Sequence, residues 1–420
     1  MTDEKSSPLV PTLRFPEFRE AGEWEELPIG RKVDLLSGYP FKSSEISKDV
    51  NGIPLLRGIN ITEGYIRHSQ DIDRFFTGEI DNFAKYRLHE NDIVIGMDGS
   101  KVGKNAALIT TKDTDSLLIQ RVARLRTSCL ATIQFIFQQI NSKKFHLYVD
   151  KINTSGGIPH ISAKQINEFE IYFPTLPEQQ KIAACLSSLD ELIAAHSQKL
   201  DALKKHKKGL MQQLFPAEGQ TVPSLRFPEF REAGEWVEKK LGEIATYENG
   251  KAHEQDISES GNFIVVNSKF ISTDMEIKKF TNSAHCLAKK EDILMVLSDV
   301  PNGRAIAKCL LVNLDNLYTV NQRICKITPH NAVNNLLFYI LNRNSYFLAF
   351  DDGVKQTNLR KEDVLDCPIF LPKDLPEQQK IAACLSSLDE LITAHSKKLD
   401  ALKKHKKGLM QQLFPAVEED

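Results

Sequence analysis

The chain has 420 residues, 41% of them hydrophobic, which is enough for two or three domains with packed cores. Its 54 Lys and Arg are balanced by 56 Asp and Glu for a net charge of −2, so any DNA contact must come from local clustering. Cys129, Cys185, Cys286, Cys309, Cys325, Cys367 and Cys384 form no CxxC pair, which argues against a disulfide scaffold or a zinc site and reads as reduced thiols. The N-terminal MTDEKSSPLVPTL lacks an apolar signal core, and no 18-residue apolar run occurs. A soluble, cytoplasmic protein with no membrane partner is expected.

Residues 1–12 read as an N-terminal tail. The box LRFPEFREAGEW follows at 13–24 and returns unchanged at 225–236. Its tryptophans, Trp24 and Trp236, are expected to be packing anchors, because a residue that reads a target should differ between the copies.

A first body extends to residue 175. Apolar runs such as Ile53–Leu56 and Ile93–Ile95 alternate with Gly, Asn and Asp turns, and a helix is expected near Thr132–Asn141. Gly99-Ser100-Lys101-Val102-Gly103-Lys104-Asn105 resembles a phosphate loop but has too few residues between its glycines and ends in Asn. It reads as a basic turn.

Residues 176–217 carry apolar side chains at Ile182, Leu186, Leu189, Ile193, Leu200, Leu203, Leu210 and Leu214, with His196 and Lys207 completing alternating steps of four and three. This heptad seam predicts a coiled-coil helix, on the order of 58 Å long, that opens at Pro177 and stops at Pro216. The run Lys204, Lys205, Lys207, Lys208 reads as a solvated helix end that complements the C-terminal dipole, with attraction to a DNA backbone as the minor alternative.

A second body occupies 218–374, with strands expected at Phe263–Val266 and Ile293–Leu297 and a helix near Asn334–Asn342. It matches the first body only sparsely. Asn91-Asp92-Ile93-Val94 corresponds to Glu291-Asp292-Ile293-Leu294, and Gln120-Arg121-Val122 to Gln322-Arg323-Ile324. The interval from Trp24 to Leu176 is 13 residues longer than that from Trp236 to Leu375, most of the surplus lying between Gly58 and Asp92. Divergent loops on a common frame are where specificity is carried.

Residues 375–416 repeat 176–217 with two changes, Ala194 to Thr393 and Gln198 to Lys397, and residues 417–420 form a tail. The second seam is Ile381, Leu385, Leu388, Ile392, His395, Leu399, Leu402, Lys406, Leu409 and Leu413. The natural partner for each apolar stripe is its twin. An intervening body favours antiparallel pairing about a midpoint near residue 198, which would bring His196 close to His395. Such a polar pair reads chiefly as a device setting register and orientation, with a pH switch as the lesser reading. The expected architecture is two tandem α/β (α+β) domains joined by two long helices in an antiparallel coiled coil, an internal repeat with pseudo-twofold character.

No GxGxxG after a strand, no H-E-x-x-H, no G-x-S-x-G, no Asn/Asp-Pro-Pro-aromatic motif and no convincing nuclease cluster is present. The arrangement, with PEQQKIA at 177–183 and 376–382, KGLMQQLFP at 208–216 and 407–415, and LRFPEF before each body, resembles the specificity subunit of type I restriction–modification systems over essentially the whole length. The resemblance implies that 13–175 and 218–374 are target recognition domains, each reading half of a bipartite site in double-stranded DNA. It implies that the helices at 176–217 and 375–416 act as spacer and as docking surface for two methyltransferase subunits, which restriction/translocase subunits then join. This chain would be non-catalytic, carrying no cofactor and no metal, with S-adenosylmethionine, ATP and Mg held by the partner subunits. The partner enzymes would flip adenines out of the duplex while this subunit holds register.

Under that reading, glycine-flanked basic and amide residues are the DNA-binding candidates: Arg57, Lys101, Lys104, Asn105, Arg121 and His160 in the first body, and Lys251, Asn267, Lys269, Asn302, Arg304, Arg323, Lys355, Gln356 and Asn358 in the second. The plain alternative for each is an ordinary exposed polar residue. Arg121 and Arg323 recur in both bodies, which suits a scaffold or phosphate role better than base discrimination. Three other readings stay open: a subunit serving a single fused methyltransferase–nuclease, a coiled-coil scaffold whose bodies bind proteins, and an enzyme in its own right.

Overall fold

The computed structural model describes residues 9–153 and 158–415. Most of the expected N-terminal tail, the tail at 417–420 and the last residue of the 375–416 segment lie outside the described residues. The chain divides into two compact units, one containing residues up to Gln198 and from Lys397 onward, the other Lys199–Ser396. Each unit therefore holds one body and portions of both repeated helices.

The first body contains strands β1 (Glu25–Pro28), β2 (Asp34–Ser37), β3 (Ile46–Ser47), β4 (Ile53–Leu56), β5 (Phe75–Phe76), β6 (Ile93–Gly96), β7 (Ala106–Leu108), β8 (Leu117–Leu118), β9 (Val122–Arg126) and β10 (Glu170–Phe173), with helices α1 (Leu130–Ile140), α2 (Lys143–Ile152) and α3 (Ala163–Glu168). One sheet is antiparallel in the order β2-β9-β6-β7. A mixed sheet runs β3-β5-β4-β8, its β4–β8 pair being parallel, and β1 pairs with β10. Strand β6 is buried throughout because both its faces are covered. Ile93 and Ile95 face a core with Phe135, Ile136 and Phe145, while Val94 joins Leu56, Ile61 and Leu118. Two-residue alternation thus divides one apolar run between two cores.

Helix α4 (Leu176–Leu214) follows. The second body contains β11 (Val237–Lys240), α5 (Leu241–Ile244), β12 (Ala245–Asn249), β13 (Phe263–Val266), α6 (Ser268–Ser272), β14 (Phe280–Thr281), β15 (Ile293–Val296), β16 (Ser298–Asp299), β17 (Cys309–Leu311), β18 (Tyr318–Val320), β19 (Ile324–Pro329), α7 (Asn334–Leu341), α8 (Ser345–Leu348), β20 (Thr357–Asn358), α9 (Lys361–Leu365) and β21 (Pro368–Leu371), before α10 (Leu375–Leu413). Its sheets run β12-β19-β15-β17 and β14-β13-β18, with the pairs β16-β20 and β11-β21. Strand β15 splits as β6 does: Ile293 and Met295 enter one core, Leu294 and Val296 another.

The sparse sequence match between the bodies has a local cause. Asn91 and Glu291 take left-handed φ values of 68° and 74°. The following carboxylates, Asp92 and Asp292, each accept the backbone N–H three residues back, from His89 and Lys289, at 2.7 Å. These turns launch β6 and β15. Asp92 also receives a two-pronged contact from Arg126 at 2.6 and 2.7 Å, whereas Asp292 accepts from the Thr328 hydroxyl at 2.5 Å.

The repeated helices are antiparallel within each unit. In the first, Ile182 and Leu186 share a core with Leu409 and Leu413, and Lys406 pairs with Asp190 at 2.6 Å. In the second, Ile381 and Leu385 share a core with Leu210 and Leu214, and Lys207 pairs with Asp389 at 2.6 Å. No residue of the expected seam is exposed, in line with a heptad packed against its twin. The lysine run is therefore not wholly a solvated end: Lys207 and Lys406 face across the helix pair.

The repeated box explains why it repeats along with the helix. Arg14 forks onto Glu178 with two 2.7 Å hydrogen bonds, and the Leu13 N–H donates to the Gln412 carbonyl at 2.9 Å. In the second unit Arg226 forks onto Glu377 at 2.7 Å, and the Leu225 N–H donates to the Gln213 carbonyl at 2.9 Å. Each box thus clasps the start of one helix copy and the end of the other. Trp24 and Trp236 are each 3% exposed, packing edge-on against Phe135 and Phe215, as anchors should.

Candidate nucleic-acid interface

In the first body the basic turn leaves the end of β6. The Met97 N–H donates to the Arg121 carbonyl at 2.9 Å, the Ile161 N–H to the Met97 carbonyl at 2.9 Å, and Asp98 bridges His160. Those contacts gather Lys101, Lys104, Asn105, Arg121 and His160 at one end of the sheet. The turn closes through Gly103, whose left-handed φ of 69° suits glycine, and through the Gly96 N–H donating to the Asn105 carbonyl at 2.9 Å. Arg57 heads the neighbouring segment, its guanidinium donating to the Ile72 carbonyl at 3.2 Å. That segment returns to the turn where the Gly64 N–H meets the Ala106 carbonyl at 2.8 Å.

The cations here already have carboxylate partners. Lys101 pairs with Glu63 at 3.3 Å, Lys104 with Asp150 at 2.9 Å, and Arg121 with Asp98 at 2.9 Å. The Arg121 side chain is 70% exposed, and its φ of 67° is a strained left-handed value for a non-glycine residue.

His68 anchors the Arg57 segment. Its Nδ1 lies 3.2 Å from Asp73 and its Nε2 2.9 Å from Asp113. A carboxylate oxygen faces each ring nitrogen, an arrangement that favours the protonated imidazole. Burial opposes that charge, but the two carboxylates prevail and raise the imidazole pKa above its ordinary value.

In the second body the candidates form two groups. Lys251, whose N–H donates to the Val320 carbonyl at 2.9 Å, bridges Asn321, and Asn321 in turn bonds the Val266 carbonyl beside Asn267. Asn267 uses its side-chain oxygen to cap α6, accepting the Phe270 N–H at 2.9 Å, with Lys269 exposed on the first turn. The other group surrounds β16 and β20. Asn302 donates to the Gly353 carbonyl at 3.2 Å, Gln356 to the Ser298 hydroxyl at 2.7 Å, and the Leu297 N–H to the Arg323 carbonyl at 2.9 Å. Arg304 and Lys355 are exposed on the same loops, and among the described residues neither they nor Arg323 makes an ion pair.

Sequence reasoning passed over Asp98, Glu63 and Ser298. Asp98 and Glu63 each precede a glycine, Gly99 and Gly64, but are acidic, and Ser298 is a neutral hydroxyl outside any basic run; their placement depends on long-range bridges that spacing does not reveal.

All seven cysteines are free, and burial pushes the Cys286 thiol up to about 11 and that of Cys367 up to about 12. Among the described residues no group of three His, Cys, Asp or Glu is arranged to hold a metal ion, and no helix is long and apolar enough to cross a membrane.

Two segments, residues 22–205 and 233–404, match the family described as the type I restriction modification DNA specificity domain. The chain belongs to this family. Within it, the chain is 28% identical to the type I restriction enzyme MjaVIII specificity subunit of Methanocaldococcus jannaschii, over 96% of this chain and 93% of that one. It is 34% identical to the Escherichia coli EcoAI specificity subunit over 45% of this chain and 32% of the relative. The crystal structure of a type I restriction–modification S subunit from M. genitalium shares the fold, with a TM-score of 0.67 at 18% identity, covering 97% of this chain and all of that one. Each matched segment spans one body and most of the long helix that follows it, so the family's DNA specificity domain occurs twice in this chain.

Proposed function

We propose that this chain is the non-catalytic DNA-reading subunit of a type I restriction–modification enzyme, each body reading one half of a bipartite duplex site. The observation that carries the reading is the juxtaposition of a repeated frame with two unlike ends. Box and helix make the same clasp twice, while corresponding ends of β6 and β15 present different basic and amide side chains. Base reading needs such side chains at base edges, with cations anchoring phosphates. Two readers on one chain gain affinity through effective concentration, and a helical spacer sets the half-site separation.

The repeated helices also offer one partner surface twice. Leu192 and Leu391 are 49% and 48% exposed at matching positions, outside the seam. They are the docking points for two copies of a methyltransferase subunit, with restriction subunits joining that assembly. S-adenosylmethionine, ATP and Mg belong to those partners, and the methyl group goes to adenines flipped from the duplex. The expected location is the cytoplasm.

Mapping methylated adenines in the host genome with and without the gene tests this reading. Two short half-sites at fixed spacing, modified only when the gene is present, support it. An unchanged methylation pattern refutes it.

A further inference from the structure

The two bodies share a backbone frame at the ends of β6 and β15. In the first, the Met97 N–H bonds the Arg121 carbonyl and the Ile161 N–H bonds the Met97 carbonyl, both at 2.9 Å. In the second, the Leu297 N–H bonds the Arg323 carbonyl at 2.9 Å and the Leu359 N–H bonds the Leu297 carbonyl at 2.8 Å. Superimposing these bonds makes Asp98 the counterpart of Ser298, Arg121 of Arg323, and His160 of Asn358. The strand pairings agree, since Asp98 bridges His160 just as Ser298 pairs with Asn358.

The chemistry on this common frame differs. Asp98 holds the Arg121 guanidinium at 2.9 Å. Ser298 instead accepts from the Gln356 amide at 2.7 Å, and that same nitrogen lies 3.3 Å from the Asn358 side-chain oxygen. Arg323, the counterpart of Arg121, has no carboxylate beside it among the described residues. One body therefore presents an oriented guanidinium and the other an oriented amide: the arginine recurs in sequence, which alone would suit a phosphate anchor, but Asp98 holds it in the first body only.

We propose that this frame is the specificity-determining site of each body: Asp98 positions Arg121 to read guanine, and Ser298 with Asn358 positions Gln356 to read adenine. The forked donors of a guanidinium match the paired acceptors O6 and N7 of guanine. The Gln356 amide matches adenine when its Oε1 accepts from N6 and the Nε2 hydrogen that here reaches Asn358 at 3.3 Å turns to N7, while the 2.7 Å bond to Ser298 holds the side chain. The inference rests on the DNA-reading function proposed above. The Arg121 side chain is 70% exposed while its partner Asp98 is 26% exposed, so the guanidinium is held on one side and open on the other. Its geometry is therefore available for recognition.

The test is selection from randomised duplexes by the full chain in complex with its methyltransferase partner, comparing the wild type with Asp98→Asn, Arg121→Lys and Gln356→Ala. Asp98→Asn and Arg121→Lys should each weaken preference for guanine at one base pair of one half-site, on the order of tenfold. The other half-site stays unchanged and reports that the chain is folded. Gln356→Ala should do the same to an adenine in the opposite half. Motifs that survive all three substitutions overturn the proposal. So does a uniform loss across all sequences, or full function in Arg121→Lys, because a phosphate anchor needs only charge. A wild type that selects no sequence at all removes the DNA-reading function itself.

Discussion

Arg14 meets Glu178 through two parallel hydrogen bonds of 2.7 Å, with side-chain exposures of 6% and 0%. Arg226 and Glu377 repeat this contact at 7% and 1%. Removing one partner of a buried pair strands the other charge, at about 3–5 kcal/mol. Arg14→Ala should lower unfolding free energy by that amount in denaturant titration, and a loss below about 1 kcal/mol contradicts the clasp.

His68 gives the first body a pH-dependent tether. Its folded pKa is raised, the two carboxylates overriding burial, so its contribution is complete below the ordinary imidazole value and disappears as pH climbs through the raised one. The melting temperature of the wild type, relative to that of His68→Gln, should therefore fall between slightly acidic and slightly alkaline pH. A constant difference across that interval rules the tether out.

Lys406 and Asp190 are half-buried partners across the helix pair, as are Lys207 and Asp389. A double-mutant cycle on Lys406→Ala and Asp190→Ala should return a coupling of about 1 kcal/mol that shrinks as salt is added. A coupling indistinguishable from zero at low salt contradicts the pairing.

Leucines on the repeated helices should separate into two classes. Leu186 is fully buried, and Leu186→Ala should cost about 2–5 kcal/mol. Leu192→Ala combined with Leu391→Ala, at half-exposed positions, should change stability by less than about 1 kcal/mol yet reduce co-purification of the methyltransferase subunit. Retention at the wild-type level would place docking elsewhere.

The helices were legible because a heptad is local and period alone marks its buried face: every seam position from Ile182 to Leu413 is at least half-buried. The turn before β6 and β15 was legible for a similar reason, since Asp92 and Asp292 act on a backbone only three residues away. The end of the first sheet was less so. Lys101 and Lys104 stand out in sequence, but their partners Glu63 and Asp150 lie 38 and 46 residues distant. Asp98 and Ser298 follow the matched Asn91–Val94 and Glu291–Leu294 at the same offset, but their side-chain partners Arg121 and Gln356, 23 and 58 residues away, are fixed by the fold and not by spacing.

The central claim is that unlike bodies read separately on a like frame. Replacing residues 237–374 with 25–175 puts two copies of the first body between the repeated boxes and helices. Sequencing of the methylated sites made by this chain with its partner subunits should show the first half-site unchanged and the second replaced, at the original spacing. A site identical to that of the wild type, or one in which both halves change, would contradict the account.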